Sequence, residues 1–89
     1  MSRGTVLVTG ASSGIGAALA KQFANNDYDL VITARREQNL QELKDSLETG
    51  NHVEIICCDL SDAGGPRELI NIIQAKGIEI DVLVNNAGI

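Results

Sequence analysis

Three glycines set the chemistry this chain could do. Gly10, Gly14 and Gly16 stand in Thr9-Gly10-Ala11-Ser12-Ser13-Gly14-Ile15-Gly16. A turn this poor in side chains leaves its backbone N–H groups open. Where such a turn starts a helix it attracts anions, because the first helical amides lack internal partners and the helix dipole favours negative charge. In a strand–turn–helix unit the anion is the pyrophosphate of a nucleotide. A side chain at Gly14 or Gly16 would block the pyrophosphate or the strand–helix contact. Ser12 and Ser13 can donate to phosphate oxygens, although serine is also an ordinary turn residue. The spacing Gly-x-x-x-Gly-x-Gly departs from the dinucleotide fingerprint G-x-G-x-x-G, and glycine in such a turn also has a purely steric use. The loop alone leaves both readings open.

Arg35 and Arg36 carry the second piece of chemistry. In a dinucleotide-binding unit an acid at the end of the second strand, about 20 residues past the glycine loop, hydrogen-bonds the ribose 2′-hydroxyl. Ala34 occupies that place, and Arg35 follows it. No carboxylate is present to repel a 2′-phosphate, and a guanidinium can fork onto one. The expectation is NADP(H) in preference to NAD(H). The competing reading is a solvated charge pair at a helix start. An arginine pair there opposes the helix dipole, a penalty that a bound anion would remove.

The elements that must position these residues follow from periodicity. Thr5-Val6-Leu7-Val8 reads as a buried strand, and the helix after the loop runs from about Gly14 to Asn25. Asn26-Asp27-Tyr28-Asp29 is a polar turn before a strand over Leu30–Ala34. A helix from Glu37 to about Glu48 places Leu40, Leu43 and Leu47 on one face, and Gly50 is expected to stop it. Val53–Cys58 is the third strand, with Asp59-Leu60-Ser61-Asp62 closing it. Pro66 suits the first turn of a helix that buries Leu69, Ile72 and Ile73, reaches about Lys76 and ends at Gly77. Ile80–Val84 is the fourth strand. Alternating strands and helices predict a parallel sheet of order 3-2-1-4, half of a doubly wound α/β Rossmann fold truncated after strand 4. The switch point lies between strands 1 and 4, where a ligand is expected. The glycine loop and Asn85-Asn86-Ala87-Gly88 both fall there.

The two motifs together resemble the short-chain dehydrogenase/reductase family. Thr9 to Gly16 is similar to its cofactor loop, and Asn85-Asn86-Ala87-Gly88 to its second signature. The resemblance covers the whole chain but only the N-terminal part of a family member. Residues 1–89 are therefore expected to be the NAD(P)-binding portion of one incomplete domain. The resemblance implies that Gly10, Ser12, Ser13, Gly14, Ile15 and Gly16 contact the cofactor, with Arg35 and Arg36 at its 2′-phosphate. It gives Asp59 the adenine amine and makes Leu60 a wall of the ring, although aspartate at a strand end is also a common turn former. Asn86, Ala87 and Gly88 would make backbone contact and leave room for ribose, in a motif that is largely structural. Thr9 is expected to tie the turn together.

Catalysis in the family uses a tyrosine, a lysine four residues later, a serine and a further asparagine. Here the sole tyrosine is Tyr28, and Ile32 stands four residues on. No catalytic residue is assigned. Two functions stay open: the NADP(H)-binding portion of an oxidoreductase that moves hydride between the cofactor and a carbonyl or alcohol substrate, or a non-catalytic nucleotide-binding or interaction module.

Composition narrows the partners. The chain has 89 residues, 44% hydrophobic and 21% charged, with a net charge of −5. That size suits one small domain, and the negative charge argues against nucleic acid and anionic membranes. Met1-Ser2-Arg3-Gly4 leads straight into a strand with no apolar targeting or spanning run, so a cytosolic setting is expected. No repeat, low-complexity tract or linker interrupts the pattern. Cys57 and Cys58 are adjacent on a strand and unsuited to chelation, so two buried, reduced thiols are expected. His52 is expected to be a solvent-facing turn residue. An exposed edge at strand 4 would favour self-association or a complementing fragment.

Overall fold

A computed structural model of the chain describes residues 3–11, 14–47 and 50–86. Four strands, β1 (Thr5–Thr9), β2 (Asp29–Ala34), β3 (Val53–Cys57) and β4 (Val82–Asn85), form one sheet of order β3-β2-β1-β4. All three pairings are parallel, with Val8 level with Ile32 on one side and Val84 on the other. The expected 3-2-1-4 winding is the one observed. The helices are α1 (Gly14–Asn25), α2 (Glu37–Ser46) and α3 (Gly65–Ala75).

Parallel strands covered on both faces need apolar residues in unbroken runs, which is the pattern in β1 and β2. Val6, Val8, Leu30 and Ile32 project to one face and pack with Ala20 and Ala24 of α1 and Leu40 and Leu43 of α2. Leu7, Val31 and Ile56 project to the other and pack with Leu69 and Ile73 of α3. The buried stripe of α1 is Gly16, Ala20 and Ala24, one residue per turn. Small side chains there bring the helix axis close to the sheet, and so bring the glycine loop close to β1.

Two helices stop by the same device. Gly77 takes φ 69° after α3, its N–H bonding Gln74 O at 3.0 Å while Ile78 N–H bonds Ile73 O at 3.2 Å. These are the paired bonds of a Schellman cap. After α1 the same pair runs from Asp27 N–H to Ala24 O at 3.3 Å and from Tyr28 N–H to Phe23 O at 3.2 Å. The left-handed residue there is Asp27, φ 69°, and the flanking rings of Phe23 and Tyr28 meet edge to face at 5.4 Å. An L-residue pays for this conformation and glycine does not. Asp27→Gly is expected to raise stability by about 0.5–1 kcal/mol. A urea midpoint that falls or stays level would show that Asp27 is unstrained.

Helix α2 departs from expectation. It ends at Ser46, not near Glu48, and Leu47 turns extended at φ −87° and ψ 98°. Ser46 Oγ donates to Leu43 O at 2.7 Å and Leu47 N–H bonds Lys44 O at 3.1 Å, a local alternative to another helical turn. Gly50, expected as the stop, lies three residues beyond the C-cap Leu47. Strand β4 also starts two residues late. Asp81 instead clamps Gly4-Thr5: its carboxylate accepts from Thr5 N–H at 2.8 Å and its own N–H bonds Thr5 O at 2.9 Å. Ile80 packs with the α3 cluster instead of pairing.

Candidate functional site

The C-terminal ends of β1 and β4 meet at the register pair Thr9↔Asn85. Thr9 is buried, and its hydroxyl accepts from Asn86 N–H at 2.9 Å. Its single proton faces two acceptors, Asn85 Oδ1 at 3.1 Å and Val84 O at 3.3 Å. Asn86 Nδ2 in turn donates to Gly10 O at 3.2 Å, and Ala11 N–H bonds Thr33 O at 3.1 Å. The loop is thus fastened to β4 on one side and to β2 on the other. Thr9 ties it, as expected, and Asn86 holds it through its side chain.

The glycines divide the work. Gly10 takes φ 63°, which a side chain would strain. A Cβ at Gly16 would press into Gly10 O and lie 2.9 Å from Asn86 Nδ2, so glycine there serves the fold. A Cβ at Gly14 would meet nothing within 4 Å, and its φ is not left-handed. Sequence reasoning gave the two glycines one requirement. The structure separates them: Gly16 is sterically obligatory, while Gly14 is exposed and keeps space open outside the loop. Ile15 beside it is 70% exposed at the first turn of α1. Ser12, Ser13, Ala87 and Gly88 lie outside the described residues.

Arg35 and Arg36 bridge β2 and α2 at the same end of the sheet, and both are exposed. Arg36 is the N-cap of α2, at φ −111° and ψ 112°, with no side-chain cap bond. Among the described residues neither guanidinium has an ion-pair partner. Asp59 stands at the end of β3. Its Oδ1 accepts from Ser61 Oγ at 2.5 Å and from Ser61 N–H at 2.9 Å. Those bonds, the hydroxyl first, hold its carboxyl below the ordinary range, with a smaller contribution from the Arg35 charge. The turn-forming role of Asp59 is therefore real, and its carboxylate stays ionised down to lower pH. Leu60 faces the other layer and lines an apolar groove of about 350 Å³ with Leu7, Leu69, Ile70 and Leu83. Leu83 of β4 is 60% exposed and Ile70 of α3 54%, so the apolar surface beside the β4 edge is bare.

The two cysteines differ from expectation. Cys58 is buried, and desolvation, followed by the Glu68 and Asp59 charges, raises its thiol pKa. Cys57 is exposed, because it ends an edge strand on the side facing α2, beyond the helix's cover. A thiol reagent applied to the folded chain is expected to label Cys57 and spare Cys58, with the second thiol appearing only in denaturant. Equal labelling in the folded state, read by peptide mass, would contradict this. His52 is exposed, as expected, and its Nε2 lies 3.0 Å from Glu54 Oε1, while Lys76 Nζ lies 3.1 Å from Oε2. Those two bonds hold the Glu54 carboxyl below its ordinary range. Tyr28 lies at the opposite end of the sheet from the glycine loop, under the Arg3 guanidinium at 5.5 Å. No metal-binding group of three or more side chains occurs among the described residues.

Two positions escaped sequence reasoning. Thr33 is fully buried and donates to Ile56 O at 2.5 Å, pinning β2 to β3 beneath Arg35. A threonine near the end of an otherwise apolar strand was the available signal. Gly65 starts α3 so close to the β3 exit that a Cβ would press into Asp59 O and lie 3.1 Å from Leu60 Cα. The Gly64-Gly65-Pro66 run signals a turn, but not this crossing.

The family model described as short chain dehydrogenase matches residues 4–89. The NADP-dependent 3-hydroxy acid dehydrogenase of Escherichia coli K12 is 38% identical over 84 residues, covering 94% of this chain and 33% of that enzyme. The crystal structure of YwfH, an NADPH-dependent reductase of bacilysin biosynthesis, superposes with a TM-score of 0.88 at 31% identity, covering 98% of this chain and 38% of that one. A short-chain dehydrogenase from Sphingobium yanoikuyae, solved with NADPH, gives 0.84 at 40% identity over 97% of this chain and 34% of its own. The chain spans about a third of the length of the curated relatives it matches. With its parallel 3-2-1-4 sheet and its glycine loop at the β1–β4 switch point, this chain belongs to the short-chain dehydrogenase family.

Proposed function

We propose that the C-terminal end of this sheet holds NADP(H) within an oxidoreductase. One observation carries the reading. Two arginines that have no ion-pair partner among the described residues stand at the end of β2, at the same sheet end as Gly14, where the fold would tolerate a side chain. In this reading Gly10, Ser12, Ser13, Gly14, Ile15 and Gly16 cradle the pyrophosphate with backbone N–H groups and hydroxyls, and the start of α1 adds its dipole. No acidic residue stands in the first turn of α1 to oppose an anion. Arg35, assisted by Arg36, takes the 2′-phosphate. The free oxygen of Asp59 takes the adenine amine, with Leu60 against the ring. Asn86, Ala87 and Gly88 border the ribose.

When bound, the nicotinamide supplies a hydride for a carbonyl or accepts one from an alcohol. This chain's own residues bind and orient the cofactor, and none of them is assigned a proton-transfer role. The relatives' names support the cofactor, since the Escherichia coli enzyme is NADP-dependent and the Sphingobium structure holds NADPH. Two free thiols fit a cytosolic setting. No described helix is long and apolar enough to cross a membrane. Self-association, or docking of a complementing segment, would cover the edge at Leu83.

The alternative, a nucleotide-binding module without turnover, shares the same site and differs only in chemistry. Titrating the chain into NADPH and following nicotinamide fluorescence tests the shared part. Saturable binding that 2′,5′-ADP displaces is expected. An unchanged emission spectrum together with no heat of binding would overturn the reading.

A further inference from the structure

At the adenosine end of the proposed site, two adjacent cysteines each grip the backbone of a different loop. Cys57 lies on the α2-facing side of β3, and its thiol donates to Arg35 O at 3.1 Å. The next residue's N–H, that of Cys58, donates to Ala34 O at 3.0 Å. Both carbonyls at the exit of β2 are thus held from β3. The Cys58 thiol points to the opposite face and donates to Gly65 O at 3.2 Å. That bond closes the 58–65 loop, which two internal bonds already shape, Asp62 N–H to Asp59 O at 3.2 Å and Gly65 N–H to Asp62 O at 3.0 Å.

These contacts matter because of what each loop carries. The β2–α2 turn presents Arg35 and Arg36, and its N-cap has no side-chain bond to steady it. Cys57 is exposed, so its use is not core packing. The 58–65 loop presents Asp59 and Leu60. The Arg35 carbonyl that Cys57 holds belongs to the Arg35–Arg36 peptide. A small rotation of that peptide would swing the long side chains on either side of it through several ångströms, and a phosphate contact is lost over less.

The geometry points to Cys57 and Cys58 as positioning residues for the adenosine end of the nucleotide. Cys57 sets the aim of Arg35, and hence the discrimination between NADP(H) and NAD(H). Cys58 sets the seat of Asp59-Leu60, and hence the affinity for both. The inference rests on the proposed reading that Arg35 meets the 2′-phosphate. A thiol is a weak donor, so the effects are modest and selective, not abolishing.

Calorimetric titration of the full chain with 2′,5′-ADP and 5′-AMP separates the roles. Cys57→Ala is expected to weaken 2′,5′-ADP about threefold, roughly 0.65 kcal/mol, with 5′-AMP unchanged. Cys57→Ser, which keeps a donor, should restore the parent ratio. Cys58→Ala should weaken both probes by a similar factor of about three, with the ratio preserved. Arg35→Ala serves as the reference for loss of the phosphate contact. If Arg35→Ala collapses the ratio while Cys57→Ala leaves it alone, the positioning role is overturned and the cofactor reading stands. A ratio restored by neither Ser nor any other donor at 57 also overturns it. If Arg35→Ala leaves the ratio unchanged, or the parent chain binds neither probe, the cofactor reading falls and takes the inference with it.

Discussion

Gly16→Ala is expected to lower the stability of this chain by about 2–3 kcal/mol, while Gly14→Ala, two residues away, changes it by no more than about 0.5 kcal/mol. The contrast comes from where each Cβ would go. At Gly16 it drives into Gly10 O and crowds Asn86 Nδ2 at 2.9 Å, so the loop must move off β1 or α1 must lift off the sheet. Lifting α1 also loosens the close packing of Ala20 and Ala24 on Val6 and Val8. The usual gain from alanine over glycine in a helix, up to about 1 kcal/mol, offsets only part of this. For a domain of this size, with a total stability of roughly 5–10 kcal/mol, such a loss is severe. The urea midpoint of Gly16→Ala should fall by about 2–3 M, taking a slope near 1 kcal/mol per molar. Gly14→Val adds the functional half: its midpoint should stay near the parent's while NADPH binding is lost. Equal midpoints for Gly14→Ala and Gly16→Ala would mean that the steric distinction between the two positions is false.

That distinction marks the boundary of what the sequence could say. The winding was legible because it needs only alternating apolar runs and helical periodicity, and β1, β2 and α1 carry both without ambiguity. The gathering of Gly10, Arg35, Asp59 and Asn86 at one end of the sheet followed from the winding alone. What stayed hidden depended on distances between elements far apart in the chain. Gly16 against Asn86, Gly65 against Asp59, and the thiols against Arg35 and Gly65 are contacts of that kind. Local competition explains the misplaced boundaries: Ser46 back-bonds to Leu43 and ends α2 early, and the Asp81 clamp on Thr5 delays β4. The exposure of Cys57 was missed for a related reason. Alternation gave its face correctly, but not the point along that face where α2 ceases to cover it.

Cofactor choice carries the other large effect. The parent chain is expected to bind NADPH about tenfold more tightly than NADH. A hydrogen bond to a charged group contributes roughly 1.5–3 kcal/mol, and about 1.4 kcal/mol is a factor of ten. The lower end applies because Arg35 is exposed and salt screens an exposed pair. No described carboxylate lies within ion-pair distance of its guanidinium, and the Asp59 charge acts on it only from farther away. Arg35→Ala should therefore cost NADPH about tenfold and leave NADH nearly unchanged. Ala34→Asp should reverse the order by offering an acceptor to a 2′-hydroxyl and repelling a 2′-phosphate. Ala34 is only 7% exposed and packs in the layer beneath α1 and α2, so Ala34→Asp will also cost fold stability. For that reason the ratio of the two affinities is the quantity to read, with a melting curve confirming that each variant is folded. Raising the salt from 50 to 500 mM should shrink the parent's ratio toward one and leave that of Arg35→Ala where it is. A parent that binds both cofactors equally, or an Arg35→Ala that loses both by the same factor, would return Arg35 to a solvated charge between β2 and α2.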